Sequence, residues 1–379
     1  MSRTPDLPEE VFLDGSHIII EAMARVGVRV YVGYPITPAS GMYAVARERM
    51  PLTLAAPDEI TALQWTAGLS ATGTFPITAT AFPGFALMLE SFNMAFMMEL
   101  PMVIILAQRL GPSTGSATTG AQGDLLLSRG CISGGYPVPV LCPSDLTDCW
   151  ELAARSVETA ITLRTPVILL TSKEMVMTTR NLNLAHLPDI TPAKWRFHEA
   201  SGEYRTYEAD ASLVTPFLPV GNAQHQVRFN ASTHDAGGLT RKATAPAIEN
   251  TGRLREKIET RIAEYTYYHY DDDEAADIVL LTYRISSEAA RDAVRAFRSR
   301  GKHVSLLIMK TLFPVPPIIL DIIERYSQVV IIEENLSGLL REMLYGQQRN
   351  DRIYSINKIG TMITPSEIIQ KVEQCNPLS

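Results

Sequence analysis

Apolar runs bounded by glycine or proline, alternating with stretches whose apolar positions recur at helical spacing, organise the first 180 residues. A helix is predicted from about Gly15 to Val26, then a short buried strand over 28–33. A helix around Ala39 to Arg49, a strand near Leu52 and a helix from about Asp58 to Ala71 follow. Next come a strand-like stretch at 76–82, a helix at 87–99 and predominantly apolar strands at 102–108 and 165–173. Apolar strands separated by helices predict a parallel sheet covered on both faces. From about Arg180 to Asp273 the periodicity fades into a segment rich in Pro, His, Asn and Thr, with one helix predicted at 253–265. A stretch this long without regular structure reads as a connector wrapping the surface. Strand patterns then resume at 277–283, 303–309 and 328–335, alternating with helical ones at 286–301, 316–326 and 364–374. The division expected is a tail at 1–11, a first α/β domain at 12–180, a connector at 181–273 and a smaller α/β domain at 274–379.

The chain has 379 residues, 46% of them hydrophobic, enough to bury the cores of two such domains. Its net charge of −7, with no basic tract, argues against a nucleic-acid partner. The uncharged run from Ile60 to Leu89 is interrupted by Thr, Ser, Gly and Pro and followed by Glu90 and Glu99, so no membrane span is expected. The first residues carry no apolar signal-peptide core, and a cytoplasmic location is expected. Four cysteines, Cys131, Cys142, Cys149 and Cys375, form no Cys-x-x-Cys pair and fit neither a cluster nor a zinc site.

Ligands of open α/β sheets bind beyond the carboxyl ends of the strands, and three loops at such ends carry chemistry. In the first, prolines at 35 and 38 stiffen the backbone around Thr37, whose hydroxyl either faces a small anion or caps the next helix. In the second, Asp58 and Glu59 open a helix, where acids either complement the macrodipole or place a carboxylate beside a ligand. In the third, Arg109 follows an apolar strand and precedes a run of small residues. It could offer a fork to a carboxylate or form a surface ion pair.

Taken together, "GYPITPAS" at 33–40, the Asp-Glu pair, "PGFALMLESFNMA" at 83–95, "ELPMVIILAQRLGPSTG" at 99–115 and "QGDL" at 122–125 resemble the α subunit of the 2-oxoacid:ferredoxin oxidoreductases, which are thiamine-diphosphate enzymes. "VVIIEENLSGLLREML" at 329–344 is similar to a second-domain segment of the same family, and the resemblance covers most of residues 12 to 375. It implies a thiamine-enzyme pyrimidine-binding-type parallel-sheet domain followed by a smaller transketolase C-terminal-like α/β domain. It also implies a β subunit carrying most of the thiamine diphosphate site with Mg²⁺ and a [4Fe-4S] cluster, which accounts for the missing cluster cysteines. A second α chain in a dimer of heterodimers, a γ subunit and ferredoxin are further implied partners, with coenzyme A as co-substrate.

The resemblance assigns roles residue by residue. Glu59 matches the glutamate that hydrogen-bonds N1′ of the aminopyrimidine and so lets the 4′-imine remove the thiazolium C2 proton. Thr37 and Arg109 match substrate-binding positions, Arg109 pairing with the carboxylate next to the keto carbon. Ser113 and Thr114 join them on the substrate side, and Tyr34, Pro35, Ile36, Gly84 and Phe85 join Glu59 on the cofactor side. The implied reaction is oxidative decarboxylation of a 2-oxoacid to an acyl-CoA in an oxygen-sensitive enzyme, with 2-oxoglutarate slightly favoured over pyruvate, branched-chain and aryl 2-oxoacids. An outcome of another class is a non-catalytic α/β binding module. Four positions depart from the family pattern: Ala117 replaces a proline, Thr119 a lysine, Gly120 a threonine and Phe82 a glycine. Without that lysine, a second substrate carboxylate needs another cation, with Arg129 as a candidate.

Overall fold

The computed structural model describes residues 10–199, 202–347 and 350–375. Most of the tail at 1–11 therefore lies outside the described residues.

Strands of the first part, in chain order, are β1 (Glu10–Leu13), β2 (Val30–Gly33), β3 (Leu52–Ala55), β4 (Pro76–Thr80), β5 (Met102–Gln108), β6 (Val140–Leu141), β7 (Pro166–Ser172) and β8 (Arg180–Asn183). Those of the second part are β9 (Tyr268–Asp271), β10 (Ile278–Tyr283), β11 (Ser305–Met309), β12 (Thr311–Phe313), β13 (Gln328–Glu333) and β14 (Ile353–Asn357). A seven-stranded sheet runs β12-β6-β7-β5-β4-β2-β3, parallel except for β12. A five-stranded sheet runs β14-β13-β10-β11-β9, parallel except for β9.

The strand β5 shows why its sequence is apolar from Met102 to Ala107. Met102, Ile104 and Leu106 pack with Phe85 and Phe92 on one face, while Val103, Ile105 and Ala107 pack with Ile19 and Trp150 on the other. A strand covered on both faces has no polar side to show. The first of these cores also takes in Val279, Leu281 and Ile331 of the second sheet, so the two sheets share buried apolar contacts. Burial at this density, at roughly 25 cal/mol per Å² of apolar surface, is the main force holding the sheets together.

Sequence-contiguous segments exchange strands. The strand β12 leaves the second part to pair with β6 of the first sheet, and β9, within the expected connector, is an edge strand of the second sheet. β8 returns to pair antiparallel with β1. The rest of the connector is not confined to the surface: Tyr204, Tyr207, Val214, Phe217 and Leu218 are buried. Its helix spans Ala245–Glu259 rather than 253–265, because Pro246 starts it and the chain passes into a 3₁₀ turn at Ile262–Tyr265. That helix is anchored by Glu99, wholly buried, which pairs with Arg253 and, at 2.5 Å, with Lys257 Nζ. The helix predicted at 87–99 runs over Phe82–Met97, since Pro83 in its first turn costs no intrahelical hydrogen bond. Among the described residues no helix is long and apolar enough to cross a membrane.

Candidate active site

The chain leaves β2 for β3 on one side and then crosses to β4 on the other. Loops leaving neighbouring strands in opposite directions open a crevice at the carboxyl ends, the place where α/β sheets hold ligands.

The loop 34–39 follows β2. The next helix begins at Ser40 with Ala39 as its cap and no side-chain cap bond, so Thr37 is not the capping residue. Arg109, just past β5, donates from Nη1 to the carbonyl of Thr37 at 2.5 Å and is only 5% exposed. The arginine is thus no surface ion pair; it fastens the first loop to the third. Its Nε has no hydrogen-bond partner among the described residues. Tyr34 and Pro35 are exposed, while Ile36 and Thr37 are half-buried.

At the second loop the two acids divide the work. Asp58 is the N-cap, accepting from the amide of Thr61 at 2.7 Å, so the helix Glu59–Ala71 has its end satisfied without Glu59. Glu59 is buried, and no donor among the described residues reaches its carboxylate. Gly84 lies against it: a Cβ there would stand 2.7 Å from Glu59 Oε1 and 2.2 Å from Thr80 Oγ1. Any larger residue would push the carboxylate aside. Phe85, placed on the cofactor side by the resemblance, is wholly buried and packs edge-on to Phe92 with ring centres 5.5 Å apart. It supports the floor beneath Gly84 and presents no surface of its own. Phe82, where the family pattern has glycine, starts the helix half-buried.

The third loop is folded on itself. The amide of Leu110 donates to Thr119 O at 2.7 Å and the amide of Ser116 to Leu110 O at 2.9 Å, with Ser113 and Thr114 at the exposed tip. Gly115 takes a φ of 53°, and a Cβ there would meet Leu110 O at 1.7 Å, so only glycine closes this turn. A Cβ on Gly120 would fall 1.9 Å from Glu174 Oε1; the glutamate occupies the space a threonine would need. Arg129 is exposed in the short helix Leu125–Gly130.

Four residues at the base of this loop carry a structural role that local pattern did not reveal. Gln122, wholly buried, and Arg284, at the end of β10, join the loop to the second sheet. Glu333 accepts from the amides of Leu340 at 2.6 Å and Arg341 at 3.2 Å, and Asn335 from those of Gly338 and Leu339, so "EENLSGLL" caps the helix Leu339–Tyr345. Next to Gln122, burial pushes the Asp124 carboxyl up to about 6, against the opposing pull of Arg284, Gln108 and Arg109. The traces of this in the sequence are Gln122 and Asp124 within the quoted "QGDL" and Glu333 and Asn335 within "VVIIEENLSGLLREML", neither of which says what the side chains meet.

A carboxylate on a largely buried side chain that no protein donor reaches, open because its neighbour is glycine, fits an aminopyrimidine that donates to it, so the residues present suit thiamine diphosphate. Among the described residues no group of three or more His, Cys, Asp or Glu side chains could hold a metal ion.

Comparison with known proteins identifies the family. The family model described as pyruvate flavodoxin/ferredoxin oxidoreductase, thiamine diphosphate-binding, matches residues 21–253, and that of pyruvate:ferredoxin oxidoreductase core domain II matches 276–368. The 2-oxoglutarate synthase subunit KorA of Methanocaldococcus jannaschii is 26% identical over 95% of this chain and 98% of its own. That of Methanothermobacter marburgensis is 29% identical over 97% and 99%. Among solved structures, 2-oxoglutarate:ferredoxin oxidoreductase from Magnetococcus marinus, with 2-oxoglutarate, coenzyme A and succinyl-CoA bound, superposes with a TM-score of 0.90 at 25% identity over 98% of this chain and 67% of that one. A split-gene transketolase shares the fold at 12% identity, with a TM-score of 0.55 over 97% of this chain and 99% of that one. With a thiamine-diphosphate-binding family model spanning more than half its length, the chain belongs to the pyruvate flavodoxin/ferredoxin oxidoreductase family.

Proposed function

We propose that the chain is the α subunit of a 2-oxoacid:ferredoxin oxidoreductase, converting a 2-oxoacid, coenzyme A and oxidised ferredoxin to acyl-CoA, carbon dioxide and reduced ferredoxin. The observation that carries this reading is the donor-free carboxylate of Glu59 against Gly84, at the same end of the sheet as the joined Thr37 and Arg109 loops. Thiamine diphosphate, when bound, supplies the carbon nucleophile for the keto group. Glu59 accepts the hydrogen bond from N1′ and holds the proton there. Arg109 has one Nη1 hydrogen committed to Thr37 and offers its other donors to the substrate carboxylate, with the hydroxyls of Thr37, Ser113 and Thr114 completing the cradle. Tyr34, Pro35, Ile36 and Gly84 border the cofactor side.

The diphosphate, Mg²⁺ and [4Fe-4S] cluster belong on a β subunit. Exposed Tyr34, in the first loop, Ile60 and Trp65, on the helix that Glu59 opens, and Leu87, on the helix that carries Gly84, offer that subunit apolar contacts. A γ subunit, ferredoxin and a second α chain complete the assembly. The relatives' names favour 2-oxoglutarate as substrate. One observation favours a neutral side chain instead: Glu174 lies against Gly120, adding an anion beside the loop that lacks the lysine.

Anaerobic co-purification with the β subunit, followed by a panel of 2-oxoacids with a viologen acceptor, tests the proposal. CoA-dependent viologen reduction by one 2-oxoacid supports it; a complex that binds coenzyme A and turns over none of the panel overturns it.

A further inference from the structure

The loop 110–124 holds Arg109 at one end and is fixed at the other by residues of a different sheet. Every polar group of Gln122 is used. Its amide donates to Glu334 O at 2.8 Å, and its carbonyl accepts from Asn335 Nδ2 at 3.3 Å. Its side-chain Nε2 donates to Tyr283 O at 2.8 Å and to Ser286 Oγ at 3.2 Å, and its Oε1 accepts from the amide of Glu334 at 2.5 Å. Beside it Arg284 Nη2 donates to Ala121 O at 2.8 Å. These partners sit at the carboxyl ends of β10 and β13, and Gln122, Arg284 and Ser286 are all buried.

A side chain as flexible as glutamine loses rotamer freedom when held in one place, and burying its amide is costly unless each polar atom is paired. Here all are paired, across 161 and more residues of sequence, to two strands at once. Loops on strand ends are mobile when few contacts hold them; this one is free at the tip and fixed at the base. The fixed base leads through Asp124, on which the charges of both Arg284 and Arg109 act. An arginine that must meet a carboxylate in bidentate geometry tolerates little displacement.

We propose that Gln122 and Arg284 are positioning residues, through which the second sheet sets the place of Arg109 and of the substrate loop. The inference rests on the functional reading above for its kinetic consequence, but its structural half does not. The second sheet is then part of the substrate site without touching substrate, and a shift of one sheet against the other moves the loop.

Two measurements test this. In the full chain, hydrogen exchange of the amides at 110–120 is compared for wild type, Gln122→Leu and the milder Ser286→Ala. Faster exchange confined to that loop, larger for Gln122→Leu, is expected; unchanged exchange there in variants that fold overturns the proposal whatever the enzyme's substrate. Should Gln122→Leu fail to fold, Ser286→Ala alone decides, since it removes one side-chain hydroxyl.

In the complex with the β subunit, KM for the 2-oxoacid is expected to rise about tenfold in Gln122→Leu while KM for coenzyme A stays constant. In an Arg109→Gln background the same change adds no further increase in that KM. A fall in kcat alone, or additive effects on KM, shows that Gln122 does not act through Arg109 and overturns the proposal. Absence of turnover in wild type would instead count against the functional reading and leave the exchange result to decide this one.

Discussion

Glu59 is where the activity should be most sensitive to one atom. Glu59→Gln keeps the shape and removes the anionic acceptor; in the reconstituted complex turnover is expected to fall about 100-fold or more, with the substrate KM little changed. Near wild-type turnover would reduce Glu59 to a helix-start residue. Gly84→Ala makes a complementary test, because alanine favours a helix by about 1 kcal/mol over glycine and would normally stabilise this position. Here its Cβ would crowd both Thr80 and Glu59. Activity should fall between about 10- and 100-fold, approaching Glu59→Gln, while the circular dichroism spectrum of the chain keeps its helical signal. Full activity would show that the carboxylate moves aside freely.

At the scale of elements, Glu99 joins the start of β5 to the helix Ala245–Glu259. Burial pushes its carboxyl up, but Arg253 and Lys257 outweigh that and hold it well below the usual range. The charged form is therefore favoured in the fold. The stability it contributes is present above the ordinary value of 4.5 and is lost as pH falls towards the lower folded value. Glu99→Gln should cost about 3–5 kcal/mol at neutral pH, since it leaves two buried cations without their partner. Denaturant titrations of the two proteins from pH 7 to pH 3 should converge as acid removes the wild type's advantage; parallel curves would mean that other carboxylates govern the acid limb. The substrate loop offers a second element-scale test. Thr119→Lys adds a cation where the family pattern has one, and should raise kcat/KM for 2-oxoglutarate relative to pyruvate by about tenfold per 1.4 kcal/mol of new pairing. An unchanged ratio would show that the loop does not read the distal group.

For the whole molecule, the consequence of the proposed division of labour is that the chain by itself binds thiamine diphosphate poorly, because its described residues offer the pyrimidine a partner and no cluster of side chains for the metal that holds the diphosphate. Calorimetry with Mg²⁺ present should detect no tight binding to the isolated chain and recover it on addition of the β subunit. Tight binding to this chain alone would relocate the cofactor site. Trp65→Glu, on the helix that Glu59 opens, should weaken co-purification with the β subunit without lowering the chain's own melting temperature, since that indole is 42% exposed.

The alternation of apolar strands and helices determined the parallel sheets, since a strand covered on both faces is apolar along its length, as 102–107 is. Short-range order also carried the three loops, because a ligand site at strand ends needs particular residues just after each strand, and Thr37, Glu59 and Arg109 stand there. Only the tertiary structure decided what those residues touch. That Arg109 holds the Thr37 carbonyl and that Gly84 is small for the sake of Glu59 depend on approaches between segments distant in sequence, whereas the capping of the helix by Asp58 rather than Glu59 is a bond between residues three apart, settled only by the backbone geometry at that turn. The exchange of β9 and β12 between the segments read as separate, and the hold of Gln122 on β10 and β13, were hidden for the same reason. A three-residue strand has too few positions to show a period, and a glutamine gives no sign in the sequence of the backbone it will meet 161 residues away.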